Sequence, residues 1–154
     1  MKKCILVTGG AGYIGSHMVW CLLKSKHWPV VLDNLSTGSA NLLPKNVPLI
    51  KGDLRSKRDT DKVFKKYSIN TVMHFAASIS VQKSLEDPLQ YYENNVSTSI
   101  NLIKSMLDHK VHKIIFSSTA AVYGNPVKIP IGENCLAAPL NPYGRSKSFV
   151  EHIL

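Results

Sequence analysis

Tyr143-Gly144-Arg145-Ser146-Lys147 sets a phenol and an ammonium four residues apart, and Ser117-Ser118-Thr119 sets three hydroxyls in a row upstream of them. On a helix, four-residue spacing puts Tyr143 and Lys147 on one face. A tyrosine with its ordinary pKa of about 10 is a poor base at neutral pH, but a nearby ammonium, joined by any further cation, favours the phenolate. The pair then becomes a usable proton acceptor. By itself such a Tyr/Lys pair is surface packing; it becomes a catalytic candidate only beside a site that holds a reactive partner.

The N-terminal glycines supply that site. Gly10-Ala11-Gly12-Tyr13-Ile14-Gly15 fits G-x-G-x-x-G, and counted from Gly9 the same stretch fits G-x-x-G-x-x-G. It leaves a strand-like run, opens a helical one, and is followed by Asp33 at the end of the next apolar run, the context in which the pattern signals a dinucleotide cradle. The early glycines permit the tight turn, Gly12 lets backbone approach a pyrophosphate, and Gly15 lets the helix lie close to the sheet. Unpaired N–H groups at the helix start then hold the anion. Asp33 is suited to accept from ribose hydroxyls and would repel a 2'-phosphate, which favours NAD over NADP. Asp53 is placed either to reach the adenine or to act as a satisfied turn residue.

These residues need a scaffold, and the chain alternates short apolar runs with helical stretches. Strands are expected at Lys3 to Thr8, Val30 to Leu32, Pro48 to Ile50, Thr71 to Phe75 and Lys113 to Phe116. Between them, helical spacing covers Tyr13 to Lys26, about Ser56 to Tyr67, and one long stretch from Pro88 to His109, with a further helical pattern from Ser148 to Leu154. This rhythm implies right-handed crossovers and a doubly wound, Rossmann-like parallel α/β sheet. Such sheets bind ligands at the carboxyl ends of their strands, where both the glycine turn and Ser117-Ser118-Thr119 fall.

Composition bounds the remaining possibilities. The 154 residues are 44% apolar and 19% charged, as in ordinary globular chains. No apolar run is long enough for a spanning helix, and Met1-Lys2-Lys3 leads into a strand with no cleavage pattern, so no membrane association and a cytoplasmic location are expected. Cys4, Cys21 and Cys135 show neither a disulfide framework nor a metal site. Nineteen Lys and Arg against ten Asp and Glu leave +9. Much of the excess, Lys51, Arg55, Lys57, Arg58, Lys62, Lys65 and Lys66, reads as a solvated helix face; without interleaved stacking aromatics, nucleic acid is not the expected partner.

In order and spacing, TGGAGYIGSH, LDNLSTG, GDLRS, HFAA, YYENNV, FSSTAAVYG and NPYGRSK resemble the extended short-chain dehydrogenase/reductase family, in particular its branch that epimerises UDP-hexoses at carbon 4. The resemblance covers the whole chain. It implies that Gly9, Gly12, Tyr13, Ile14 and Gly15 form the phosphate loop, that Asp33 and Asn34 hold the ribose side, and that Asp53 and Leu54 flank the adenine. Phe75, Ala76 and Ala77 would line the cofactor, with Asn94 and Ser117 toward the nicotinamide. Thr119, Tyr143 and Lys147 would be catalytic. Tyr143 would take the proton of the sugar 4-hydroxyl with Thr119 relaying it, Lys147 would hold the nicotinamide ribose, and hydride would pass to NAD and back to the other face of a 4-keto sugar.

Related 4,6-dehydratases carry Asp-Glu after the threonine where this chain has Ala120-Ala121, and related decarboxylases carry an acidic residue there, so both reactions are disfavoured. Ser78-Ile79-Ser80 stands where many such epimerases place a lysine. Chains of the family are roughly twice as long, which implies that residues 1–154 form an incomplete NAD-binding domain without the C-terminal UDP-sugar-binding domain. The expected activity is interconversion of UDP-glucose and UDP-galactose, by a homodimer when full length. The alternatives are a non-catalytic NAD-binding remnant or an epimerase of UDP-glucuronate or UDP-N-acetylglucosamine.

Overall fold

The computed structural model describes residues 3–154; Met1 and Lys2, read above as the lead into the first strand, lie outside the described residues. In chain order the elements are β1 (Cys4–Thr8), α1 (Tyr13–Lys24), β2 (Pro29–Asp33), β3 (Leu49–Lys51), α2 (Lys57–Lys66), β4 (Ile69–His74), α3 (Val81–Glu86), α4 (Pro88–Tyr92), α5 (Thr98–Asp108), β5 (Ile114–Phe116) and α6 (Pro142–Ile153). Short 3-10 turns cover Ala40–Leu42 and Ala120–Tyr123, and a π-turn covers Glu93–Ser97. The chain divides into two compact units. One runs to Ala76 and resumes over Asn101–Ser117; the other takes Ala77–Ile100 and Ser118–Leu154.

The first unit holds a five-stranded parallel sheet in the order β3-β2-β1-β4-β5. Strand order reverses direction at β1, so the carboxyl ends of β1 and β4 form the switch point where sheets of this kind bind ligands. The continuous apolar runs in β1 and β2 are explained by burial on both faces. Leu6, Val30, Leu32 and Val72 pack with Val63 and Phe64 of α2 and with Leu102 and Met106, whereas Val7 and Val31 pack with Val19 and Leu22 of α1. Full burial of each such side chain contributes about 1.5–3 kcal/mol. Helices therefore cover both faces, as a doubly wound α/β sheet requires.

Two helices close on a lysine, one short of its sequence pattern and one within a residue of it. The apolar spacing extends α1 to Lys26, but Lys26 takes φ 61° and the chain leaves the helix there, with the N–H groups of Lys26 and His27 donating to the carbonyls of Leu23 and Leu22. Lys110, φ 59°, ends α5 the same way, its N–H and that of Val111 donating to Leu107 and Met106. Both are Schellman closures with lysine in the left-handed position that glycine usually fills.

In the second unit, the stretch expected as one helix from Pro88 is interrupted by the π-turn. Thr98 Oγ1 donates to the Asn94 carbonyl and Ser99 Oγ donates to that of Asn95 at 2.6 Å. Such back-bonding competes with the regular ladder. Helix α6 starts at Pro142, so Tyr143 and Lys147 share one helix with the pattern that continues from Ser148. Asn141 caps it, Oδ1 accepting from the Gly144 N–H at 2.8 Å, and proline occupies the first turn, where its missing N–H costs nothing. The short α3, capped by Ser80 Oγ accepting from the Lys83 N–H, was not foreseen from periodicity.

Candidate active site

The glycine turn of the first unit follows β1 directly. Gly9 has φ +69°, and a Cβ there would lie 2.6 Å from the Ala76 nitrogen. The segment after β4 thus passes against the turn, and the Phe75 N–H donates to the Thr8 carbonyl at 3.0 Å. A Cβ on Gly15 would meet the Gly9 carbonyl oxygen at 2.2 Å, so α1 lies on the turn as closely as backbone permits. Gly12 differs. A Cβ there would meet only Gly9 O, at 3.3 Å, so the surrounding protein does not demand glycine at that point. Gly12 caps α1 without a side-chain acceptor, and Tyr13 and Ile14 are exposed in the first turn. The opening N–H groups of the helix and the unfilled space at Gly12 fit a pyrophosphate.

Asp33 is 9% exposed, and its two oxygens are already employed. One accepts from the Ala11 N–H at 2.9 Å, the other from the Leu35 N–H at 2.8 Å. The Ala11 carbonyl in turn accepts from the Ser39 N–H at 2.9 Å, and Gly38 lies so close that a Cβ would fall 2.7 Å from that oxygen. The segment after β2 therefore clamps the glycine turn, a function of Leu35, Gly38 and Ser39 that sequence reasoning missed. Carboxylate oxygens keep a second lone pair each, so Asp33 retains acceptor capacity for hydroxyl groups.

Asn34 donates from Nδ2 to Asp53 Oδ2 at 3.0 Å. The Arg55 guanidinium beside Asp53 holds its carboxyl well below the usual carboxylate range. The Leu54 side chain belongs to the hydrophobic core, leaving its backbone to the loop. At the other side of the switch point, Thr8 Oγ1 and His74 Nδ1 share a hydrogen bond of 2.6 Å, both fully buried, and the Ser117 N–H donates to the His74 carbonyl at 3.1 Å.

The second unit, which begins at Ala77, holds the expected catalytic groups. Thr119 Oγ1 caps the Ala120–Tyr123 turn by accepting from the Ala121 N–H at 3.2 Å, leaving its own proton to be donated. A Cβ on Gly144 would lie 2.6 Å from the Ala121 oxygen, so the glycine between Tyr143 and Arg145 sets how closely α6 approaches this turn. Ser118 Oγ is buried with no partner among the described residues.

Tyr143 sits in the first turn of α6 and is half-buried, and Lys147, one turn on, is 3% exposed. Burial pushes the Lys147 ammonium down to about 8, opposed in part by the Glu151 carboxylate. Between them Ser146, fully buried, donates from Oγ to the Tyr143 carbonyl at 2.7 Å and accepts from Asn95 Nδ2 at 3.0 Å. Asn95 also takes the Ser78 N–H on Oδ1 and gives its other amide proton to the Ser78 carbonyl, while Asn94 Nδ2 donates to Ser78 Oγ at 3.0 Å. The π-turn thus ties Ser78 to α6. Asn94 is an expected site residue; Asn95 and Ser146 are not, because each lies among other polar residues and nothing in the sequence sets it apart.

No helix among the described residues is long and apolar enough to cross a membrane. The profile of the NAD dependent epimerase/dehydratase family matches residues 5–154. A UDP-glucose 4-epimerase of Halalkalibacterium halodurans is 52% identical over 147 residues, 96% of this chain and 44% of that protein. The crystal structure of UDP-glucose 4-epimerase from Brucella ovis in complex with NAD superposes with a TM-score of 0.95 at 41% identity, covering 99% of this chain and 46% of that one. The Bifidobacterium longum enzyme in complex with NAD+ and UDP gives 0.94 at 38% identity, covering 98% and 48%. The chain spans about half the length of the relatives it matches. With the profile matched over nearly its whole length and a relative 52% identical across 96% of it, the chain belongs to the NAD dependent epimerase/dehydratase family.

Proposed function

We propose that this chain is the cofactor-binding portion of a UDP-hexose 4-epimerase that interconverts UDP-glucose and UDP-galactose with NAD as its resident cofactor. The observation that carries the reading is the buried Lys147 one helical turn after Tyr143, on a helix whose family match is to epimerases. Ala120 and Ala121 support it, since neither can serve as the acid or base that elimination of water requires.

Bound NAD supplies a group that can accept a hydride and return it. The protein residues manage the protons. Tyr143 Oη accepts the proton of the sugar 4-hydroxyl as general base and returns it as general acid. The Thr119 hydroxyl, which accepts from the Ala121 N–H, donates its proton toward the same oxygen and steadies the charge that develops there. Lys147 is an ammonium at neutral pH and favours the phenolate of Tyr143, while Ser146 and Asn95 hold the helix turn that carries both. Loss of the O4 proton would accompany loss of hydride from C4, and once the resulting 4-keto sugar has presented its other face, Tyr143 returns the proton to O4 as hydride returns to C4.

A full-length version carrying Tyr143→Phe tests the assignment. The expected result is a loss of UDP-glucose/UDP-galactose interconversion of about 10²–10⁴-fold with NAD still bound; undiminished turnover would refute it. A second reading, an NAD-binding portion with no turnover of its own, differs from the first in what residues 1–154 do by themselves. Assay of residues 1–154 alone is expected to show no epimerisation. Leu85, Leu89, Phe149 and Ile153 expose apolar surface on α3, α4 and α6, which supports a homodimer for the full-length protein, to be checked by sedimentation.

A further inference from the structure

Asp53 accepts four hydrogen bonds, and three come from one residue. Arg55 donates its backbone N–H and Nε to Oδ1 at 2.8 and 3.0 Å and its Nη2 to Oδ2 at 2.7 Å. The fourth donor is Asn34 Nδ2 at 3.0 Å on Oδ2, and Asn34 Oδ1 is itself engaged by the Ser36 N–H. A forked, two-point contact fixes both the position and the plane of a carboxylate. The Arg55 side chain is 63% exposed, and an ion pair so exposed contributes little to folding. Its geometry is thus better explained by what it does to Asp53 than by what it adds to stability.

The position of Asp53 says what it could meet. In this sheet β3 lies beside β2, with Asp33 paired to Lys51 and the Gly52 N–H donating to the Asp33 carbonyl. A dinucleotide with its pyrophosphate at α1 and its ribose at Asp33 continues outward along the carboxyl edge, so its base falls at the loop after β3. The inference rests on the NAD reading above. We propose that Arg55 is a positioning residue that locks the Asp53 carboxylate as a pure acceptor for the base, selecting a purine with an exocyclic amine over one with an oxygen in its place. An amine can share or replace the single Asn34 bond while the three Arg55 bonds keep the carboxylate in place. A 6-oxo purine offers the carboxylate a second acceptor and is rejected.

Equilibrium titration of the 154-residue chain with NAD and with nicotinamide hypoxanthine dinucleotide tests this, alongside thermal unfolding of every variant. Wild type is expected to prefer NAD by about tenfold, the worth of one charge-assisted hydrogen bond. Arg55→Met should narrow the preference to under about twofold by weakening NAD alone, at an unchanged unfolding midpoint, and Arg55→Lys, which keeps the charge without the fork, should fall between. Should Arg55→Met fail to fold, Arg55→Lys and Arg55→Gln carry the comparison. A wild-type ratio retained in these variants, equal weakening of both ligands, or no preference in wild type would overturn the proposal. Wild type binding neither ligand would instead count against the NAD reading.

Discussion

The Ala11 N–H donates to the Asp33 carboxylate at 2.9 Å, joining the glycine turn after β1 to the end of β2 across 22 positions of sequence. The acidic residue expected to meet the ribose therefore also shapes the loop expected to meet the pyrophosphate. One side chain is placed to serve both parts of the proposed site.

Asp33→Asn separates these functions. Its amide keeps one acceptor oxygen, so one of the two backbone N–H groups of Ala11 and Leu35 loses its partner. The expected loss of stability is about 1–3 kcal/mol, with NAD affinity falling at least about tenfold. Denaturant unfolding and NAD titration of the same preparation measure both. Unchanged stability would show that the clamp on Ala11 carries no weight.

Gly12→Ala and Gly15→Ala are expected to fail in different ways. At Gly15 the new methyl would lie 2.2 Å from the Gly9 oxygen, so helix and turn must separate; the expected cost is about 3 kcal/mol or more. At Gly12 the nearest atom is 3.3 Å away, so the fold should persist with a small change in midpoint. The methyl would instead occupy the space proposed for the pyrophosphate, and NAD binding should drop sharply. Gly12→Ala binding NAD normally would remove the cradle assignment.

Lys147 makes stability depend on pH in an unusual direction. Its ammonium titrates near 8 in the folded chain against 10.5 ordinarily, because burial disfavours the charge. Below pH 8 both folded and unfolded states are protonated, and the folded state bears the full cost, roughly 3 kcal/mol. Between pH 8 and 10.5 the unfolded state binds the proton and the folded state does not, so this contribution to stability rises with pH. Lys147→Met lacks it. The stability advantage of the variant over wild type should therefore shrink as pH rises from 7 to 10.5, followed by urea unfolding at each pH; an advantage independent of pH would contradict the burial argument.

Lys110→Gly should stabilise the chain by about 1 kcal/mol. Lysine at φ 59° bears a steric cost that glycine does not, while the two closing bonds to Met106 and Leu107 use backbone only. Calorimetric melting measures the gain. A lower midpoint would mean that the lysine side chain is making contacts that outweigh its backbone strain.

Much of this architecture is legible in the sequence because it rests on local regularities. The continuous apolar runs at Lys3–Thr8 and Val30–Leu32 locate the central strands to within a residue or two, since burial on both faces leaves no polar alternation to obscure them. The glycine turn is legible for a similar reason, its spacing being set by backbone sterics within a few residues. Helix ends were less legible. Lys26 carries no stop signal in its side chain, and the π-turn over Glu93–Ser97 arises from hydroxyl and amide groups that a periodicity count treats only as polar.

Residue types and spacing alone determined the α/β class and the candidacy of the glycine turn, Asp33, the Ser117-Ser118-Thr119 hydroxyls and the Tyr143/Lys147 pair, because each depends on local chemistry or short-range periodicity. The tertiary structure alone decided that Asp33 clamps Ala11, that Arg55 and Asn34 share Asp53, that Asn95 reaches both Ser78 and Ser146, and that Lys147 is buried. Those relationships join residues up to 51 positions apart in the chain. Hydrogen bonds and desolvation depend on distances in space, which no one-dimensional spacing specifies.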